Sequence, residues 1–244
     1  MKTSSLGVIG GMGPRATSVF FEKIIQRTDA NTDQDHINML ILNHATLPDR
    51  TDVILNVKED QFINSVAEDL ALLQQAGVSN IAIPCNTAHY FYHEMQKMTT
   101  VPIINMVKET LKVAASRYGP GARIGILATT GTLNSGIYQK DSGDLRLELV
   151  KPNNELQTKI MDVIYNEIKK KNDSDPTEIE HIIELLLNEF GCQCVIIACT
   201  ELSCIPLHQN IKKYCIDAMD ILVEQSILCS GKKLKQQEEY KLWS

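Results

Sequence analysis

The sequence predicts an α/β protein of two pseudo-symmetric lobes, each a parallel sheet with helices on both faces, with the working site in the cleft between them. Three observations carry that expectation. Short apolar runs of strand length alternate with amphipathic helical stretches, the pattern of a parallel sheet. The order strand, small-residue loop, later strand ending in cysteine occurs twice. Each of those two cysteines sits where a buried strand hands over to small hydroxyl or amide residues, in Ile81-Ala82-Ile83-Pro84-Cys85-Asn86-Thr87 and in Val195-Ile196-Ile197-Ala198-Cys199-Thr200.

Taken in order, the apolar runs fall at 6–9, 37–42, 81–83, 103–104, 124–127, 145–150 and 195–198. Between them, Val66, Leu70 and Leu73 recur at helical spacing and Gly77 closes that helix. The stretch 153–171 repeats the pattern through Leu156, Ile160, Val163, Ile164 and Ile168. The stretch 176–190 repeats it again through Ile179, Ile182, Ile183 and Leu186, stopped by Gly191. A last helical stretch, 218–228, is expected to return and pack on the first half, and the polar tail 231–244, with its isolated Trp243, reads as exposed. Val8-Ile9-Gly10-Gly11-Met12-Gly13 resembles Ile126-Leu127-Ala128-Thr129-Thr130-Gly131, and the intervals from Gly11 to Cys85 and from Thr129 to Cys199 are nearly equal. The expected division is a first flavodoxin-like lobe of 1–100 plus 213–244 and a second of 101–212. Ligands of open α/β sheets collect at the carboxyl ends of the strands, so two facing halves would bring both cysteines to one cleft.

Composition narrows the function. A net charge of −6 argues against a nucleic-acid partner, whose phosphate contacts need a basic face. Every apolar run is broken well short of membrane-spanning length. The opening residues carry neither a signal-peptide apolar region nor transit-peptide arginines, and the seven cysteines are an odd number, so free thiols in a reducing cytoplasm are expected. Cys192, Cys194, Cys204, Cys215 and Cys229 read as small buried residues.

Several motifs have two readings. Gly11-Met12-Gly13-Pro14-Arg15-Ala16 has the dinucleotide-binding pattern, but the next strand ends in Asn43-His44 rather than in an acid for the ribose. The loop reads better as a cradle for another anion, such as a carboxylate, at a helix start. His89 and His93 have zinc-binding spacing but no third ligand at a convincing distance, so no metal is expected. His89 either supports a Cys85 thiolate or holds a backbone group. Arg50, in Pro48-Asp49-Arg50-Thr51, lies at the same end as Cys85 and suits bidentate grip of a carboxylate. Lys169 heads a run of three lysines at a helix end, where positive charge is favoured in any case. Glu201 either holds a substrate ammonium, steers the adjacent thiol, or simply favours a helix start.

These residues resemble the aspartate/glutamate racemases over nearly the whole chain. The likeness rests on Gly10-Gly11-Met12-Gly13-Pro14, Leu47-Pro48-Asp49-Arg50, Pro84-Cys85-Asn86-Thr87-Ala88-His89 and Ala198-Cys199-Thr200-Glu201-Leu202, in family order. The Cys-Thr-Glu form resembles the aspartate branch rather than the Cys-Thr-His form of glutamate racemases, and Ala198 stands where the family often has glycine. The resemblance implies that Cys85 and Cys199 are the catalytic pair. It implies that Asn86, Thr87 and Thr200 bind the α-carboxylate and ammonium region, that Arg50 and Lys169 hold the side-chain carboxylate, and that Met12 and the loop around Thr130 line the cleft. It further implies a homodimer that works on an amino acid without a cofactor. Racemisation needs an acid and a base on opposite faces of Cα, and a thiol–thiolate pair meets that need. The competing readings are a glutamate or broader amino-acid racemase and a non-catalytic amino-acid-binding module.

Overall fold

The computed structural model describes residues 5–171 and 175–235; Trp243 and most of the tail lie outside them. The first half opens with β1 (Ser5–Gly10), α1 (Pro14–Arg27), β2 (Asn38–Asn43), α2 (Arg50–Leu55), α3 (Glu59–Ala76), β3 (Asn80–Ala82), a 3-10 turn at Thr87–Phe91 and α4 (Tyr92–Lys97). Next come α5 (Met106–Tyr118), β4 (Arg123–Leu127), α6 (Thr130–Ser135), α7 (Ile137–Ser142), β5 (Glu148–Val150), α8 (Asn154–Asp162) and α9 (Thr177–Asn188). The described chain closes with β6 (Cys194–Ile197), α10 (Gln209–Lys212), β7 (Cys215–Asp217) and α11 (Ala218–Cys229).

Two parallel sheets result, in the orders β2-β1-β3 and β5-β4-β6-β7. The order β2-β1-β3 maps onto β5-β4-β6, so the expected pseudo-symmetry holds strand by strand. β3 is the counterpart of β6, and Cys85 and Cys199 follow these two strands. The interior strands are buried on both faces, which is why they read as continuous apolar runs rather than as alternations. Local signals fix the helix ends. Pro14 starts α1, a position where its missing N–H costs nothing. Gly77 ends α3 in the left-handed conformation (φ 73°), its N–H bonded to the carbonyls of Leu73 and Gln74. The side chains of Asp49, Asn105, Thr129, Asn153 and Asp217 cap α2, α5, α6, α8 and α11.

The structure departs from expectation in three places. The helix expected over 153–171 is α8 followed by a π-helical stretch, Val163–Lys169. The run at 103–104 makes only a parallel bridge, Ile103 beside Ile81, and so belongs with the first sheet. Cys215–Asp217 forms a strand on the second sheet, whereas the expected boundary placed residues from 213 onward with the first lobe. The return of the chain is carried by α11, which packs on α1 and α5. One core cluster accordingly runs through both halves, joining Leu6, Val8 and Phe20 to Ile124, Ile126 and Tyr138 and to Leu222 and Val223 of α11. Among the described residues, no helix is long and apolar enough to cross a membrane.

The halves also meet directly at the carboxyl ends of the strands. A Cβ added to Gly131 would lie 2.9 Å from Cα of Thr51, a backbone contact that cannot yield as a flexible side chain would. Gly131→Ala should therefore cost about 1–3 kcal/mol of stability, as overpacking of a tight contact does. Denaturant unfolding checks this, and an unchanged midpoint would mean that the halves separate at that point without cost.

Candidate active site

Four loops converge where the two sheets end. They follow β1, β3, β4 and β6, and they join in two crosswise pairs. The N–H of Gly13, after β1, donates to Oε1 of Glu201, after β6, at 3.1 Å. Oγ1 of Thr87, after β3, lies 3.1 Å from Oγ1 of Thr129, after β4, and 2.9 Å from that of Thr132. The pseudo-symmetry of the sheets thus reappears in the contacts that close the cleft.

Six of the residues expected at the site line one cavity there: Met12, Arg50, Cys85, Thr87, Lys169 and Glu201. Asp49, Thr51, Thr129 and Tyr165 line it with them. Cys199 lies beside it, buried, its Sγ donating to Oε2 of Glu201 at 3.2 Å. The cavity is only about 10 Å³, at the limit of what one water needs. It shares Asp49, Arg50, Lys169 and Glu201 with a chamber of about 450 Å³ beneath the start of α1. It shares Asp49, Thr51 and Tyr165 with one of about 470 Å³ between α2 and α8. Asp49 stands at the junction of all three.

Charge at the site is dense and balanced. Lys169 Nζ lies 3.6 Å from Asp49 Oδ2 and 3.9 Å from Glu201 Oε1, and it sits over the Tyr165 ring at 4.2 Å. Burial works against this ammonium, but Glu201 and its other neighbours outweigh that and raise its pKa. The Tyr165 hydroxyl donates to Asp49 at 3.1 Å. Burial opposes the Asp49 carboxylate, yet the Asp52 N–H, Lys169 and Arg50 hold its pKa below the usual range. Arg50 Nη1 donates to the carbonyls of Leu47 and Pro48, while its buried Nε has no hydrogen-bond partner.

The two thiols feel the same pair of charges. Burial pushes the Cys85 thiol up; Arg50 opposes this, Glu201 adds to it and Lys169 opposes it. Burial and then Glu201 push Cys199 well above an ordinary thiol, against Lys169. A single carboxylate and a single ammonium therefore lie within electrostatic reach of both sulfurs.

The remaining expected residues separate. Thr200 is buried and donates to Glu201 Oε2 at 3.4 Å. Asn86 is buried and accepts from Tyr138. Thr130 is half-buried and turned elsewhere: its N–H faces the Met161 sulfur and its hydroxyl accepts from Gln157, while Thr129 takes the place by the cavity. His89 holds backbone rather than thiol. Its Nδ1 lies 2.9 Å from the Cys85 carbonyl and must donate there, and its Nε2 lies 3.3 Å from both the Met106 N–H and the Ile104 carbonyl. Among the described residues, no His, Cys, Asp or Glu group of three or more converges as a metal site. Asp49 and Tyr165 escaped the sequence reading. The cap position of Asp49 before a helix, and Tyr165 four residues ahead of Lys169, were the available signals.

Residues 9–226 match the family model for Asp/Glu/hydantoin racemases. The chain belongs to that family. The broad-specificity amino-acid racemase RacX of Bacillus subtilis is 28% identical over 91% of this chain and 96% of its own length. The aspartate racemase of Picrophilus torridus superposes with a TM-score of 0.81, at 29% identity, over 95% of this chain and 96% of that one. The glutamate racemase of Francisella tularensis, solved with D-glutamate, shares the fold at a TM-score of 0.60 and 18% identity, over 92% of this chain and 80% of that one.

In this racemase-family chain, His89 links the backbone of Cys85 to the start of α5. His89→Ala leaves a buried carbonyl and a buried N–H unpaired, an expected loss of about 2–5 kcal/mol. Burial lowers the pKa of His89, so below the unfolded value of about 6.5 the unfolded chain binds a proton that the folded chain refuses. The contribution of His89 is full above that pH and shrinks as pH falls. The stability gap between wild type and His89→Ala, measured by denaturant unfolding, should narrow from pH 8 to pH 5. A constant gap would show that the ring does not titrate differently on folding.

Proposed function

We propose that this chain is a cofactor-independent amino-acid racemase that interconverts L- and D-aspartate, with Cys85 and Cys199 as the two proton-transfer groups. The observation that carries the reading is the matched placement of the two thiols. Both follow corresponding strands of pseudo-symmetric sheets, both are buried, and both answer to the same Glu201 and Lys169. One sulfur, as thiolate, takes the proton from one face of Cα; the other, as thiol, delivers one to the opposite face. The two exchange roles for the other enantiomer.

The charges suit a dicarboxylic amino acid. Aspartate carries two carboxylates and one ammonium, and the cavity offers Arg50 and Lys169 against Asp49 and Glu201. The unpartnered Nε of Arg50 and the donors of Thr87 and Asn86 are candidates for the carboxylates, and Glu201 or Asp49 for the ammonium. Burial makes both thiolates scarce, yet a base with a raised pKa gains driving force against so weak a carbon acid. Acid–base catalysis contributes about 10²–10⁴-fold, so donors aimed at the enediolate-like carboxylate must supply the rest. A wider substrate range is the second reading. It is favoured by the likeness to a broad-specificity racemase over most of the chain and by the chamber of about 470 Å³ beside Asp49 and Tyr165. Chiral separation after incubation with each L-amino acid distinguishes the two.

Incubation with L-aspartate in deuterated water should give D-aspartate deuterated at Cα. Cys85→Ala and Cys199→Ala should each reduce racemisation by about 10²–10⁴-fold or more. Near-normal turnover by either variant would remove the two-base assignment. Glu201→Gln removes the negative charge that raises Cys199, so the pH–rate profile should move to lower pH. A profile that stays in place would show that Glu201 does not tune the thiols in the working enzyme.

A further inference from the structure

Asn86 lies between two cavity-lining residues, Cys85 and Thr87, and is 2% exposed. Its Oδ1 accepts the Tyr138 hydroxyl at 2.6 Å, while its Nδ2 is buried without a hydrogen-bond partner. A buried donor left unsatisfied costs about 1–3 kcal/mol, so a fold keeps one only where something else repays it. Tyr138 reaches Asn86 from α7, in the other half of the chain, and is fully buried in the core cluster that spans both halves. Burial pushes its phenol far above the usual range, so at any working pH the hydroxyl keeps its proton and can donate.

That contact decides which end of the amide is left over. A primary amide can turn end for end in its pocket and offer either C=O or NH₂. With Oδ1 taken by a hydroxyl proton, NH₂ remains. In the reverse orientation the carbonyl oxygen would be left over, and it would repel a carboxylate. We propose that Tyr138 is a positioning residue: its hydroxyl locks the Asn86 side chain with Nδ2 turned to donate to the substrate α-carboxylate, where negative charge grows as the α-proton leaves. This role rests on the racemase reading above. It also makes the donor depend on the closed arrangement of the two halves, because the lock and the amide come from opposite sides.

The test is a double-mutant cycle on racemisation with Tyr138→Phe, Asn86→Ala and the pair, with thermal unfolding alongside. Tyr138→Phe keeps the ring and removes one hydroxyl, so kcat/KM should fall about ten-fold, the scale of one misdirected hydrogen bond to a charged group, with the unfolding midpoint little changed. In the Asn86→Ala background the same substitution should change kcat/KM by less than about two-fold, because nothing remains to position. Equal losses in both backgrounds would overturn the role, since a packing defect does not need Asn86. A Tyr138→Phe protein that does not fold would overturn it too, assigning the hydroxyl to stability. A wild type that racemises beside an unaffected Tyr138→Phe overturns this inference alone. A wild type that exchanges no α-proton overturns the racemase reading and this role with it.

Discussion

The Glu201 carboxylate is held from three parts of the chain. It accepts the Gly13 N–H from the loop after β1 and the Cys199 thiol two residues before it, and it faces Lys169 at the end of the π-helical stretch. Glu201 is 6% exposed, and a carboxylate so far from water persists only where donors and a cation replace its hydration. Those replacements can be present together only when the two halves are closed. The same interaction therefore ties the loop after β1 to the loop after β6, adds to the proton affinity that burial gives Cys199, and places the ammonium that the other sulfur also feels. The threonine cluster of Thr87, Thr129 and Thr132 repeats the closure at the pseudo-symmetric position without charge.

Closure conflicts with access. A cavity of about 10 Å³ admits no amino acid, so the proposed placement of a substrate between the sulfurs would require the cleft to widen. The contacts that would yield are the ones whose partners an amino acid can imitate. A substrate carboxylate can take the place of Asp49 or Glu201 opposite Lys169, and a substrate ammonium can take the place of Lys169 opposite either acid. The Lys169–Asp49 pair is the one that contributes little on its own, with the Lys169 side chain 26% exposed and that of Asp49 37%. Exchanging it for substrate costs little, while the threonine cluster and the shared core keep the halves aligned.

What the sequence disclosed follows from how local each signal is. The placement of Cys85 and Cys199 after corresponding strands was legible because an apolar run, a cysteine and a hydroxyl or amide form one short pattern repeated twice. Most strands were legible because buried parallel strands write themselves as unbroken apolar runs, while their order in each sheet emerges only from the pairing. Cys215-Ile216-Asp217 was not, since three residues ending in an acid become a strand only through pairing with β6. The resemblance pointed to Thr130, yet Thr129 is the one at the cavity. Which of the two faces the cavity depends on where α6 starts, and Thr129 is the cap whose hydroxyl accepts the Thr132 N–H. Asp49, Tyr165 and Tyr138 acquire meaning only across the cleft, where each meets a partner far away in sequence. His89 had two readings on paper, and the geometry of its two nitrogens selects the backbone one.

The two thiols are not electrostatically alike, although a racemase must serve both enantiomers. Arg50 is the leading charge that opposes the burial of Cys85, while Cys199 donates to Glu201, the leading charge that adds to its burial. Both thiols are raised and keep their protons near neutral pH, and the contact of Cys199 with Glu201 leaves Cys85 the readier of the two to become a thiolate. This asymmetry does not bias the reaction, whose equilibrium constant is fixed at unity by the mirror relation of substrate and product. Under the two-thiol proposal it would instead make the two thiolate forms, one competent for each enantiomer, unequally populated. The commoner form would take its enantiomer without rearrangement, and the other would require a proton to pass from Cys199 to Cys85. Glu201, which touches the Cys199 sulfur, and Lys169, which reaches both sulfurs, lie where that transfer would be controlled.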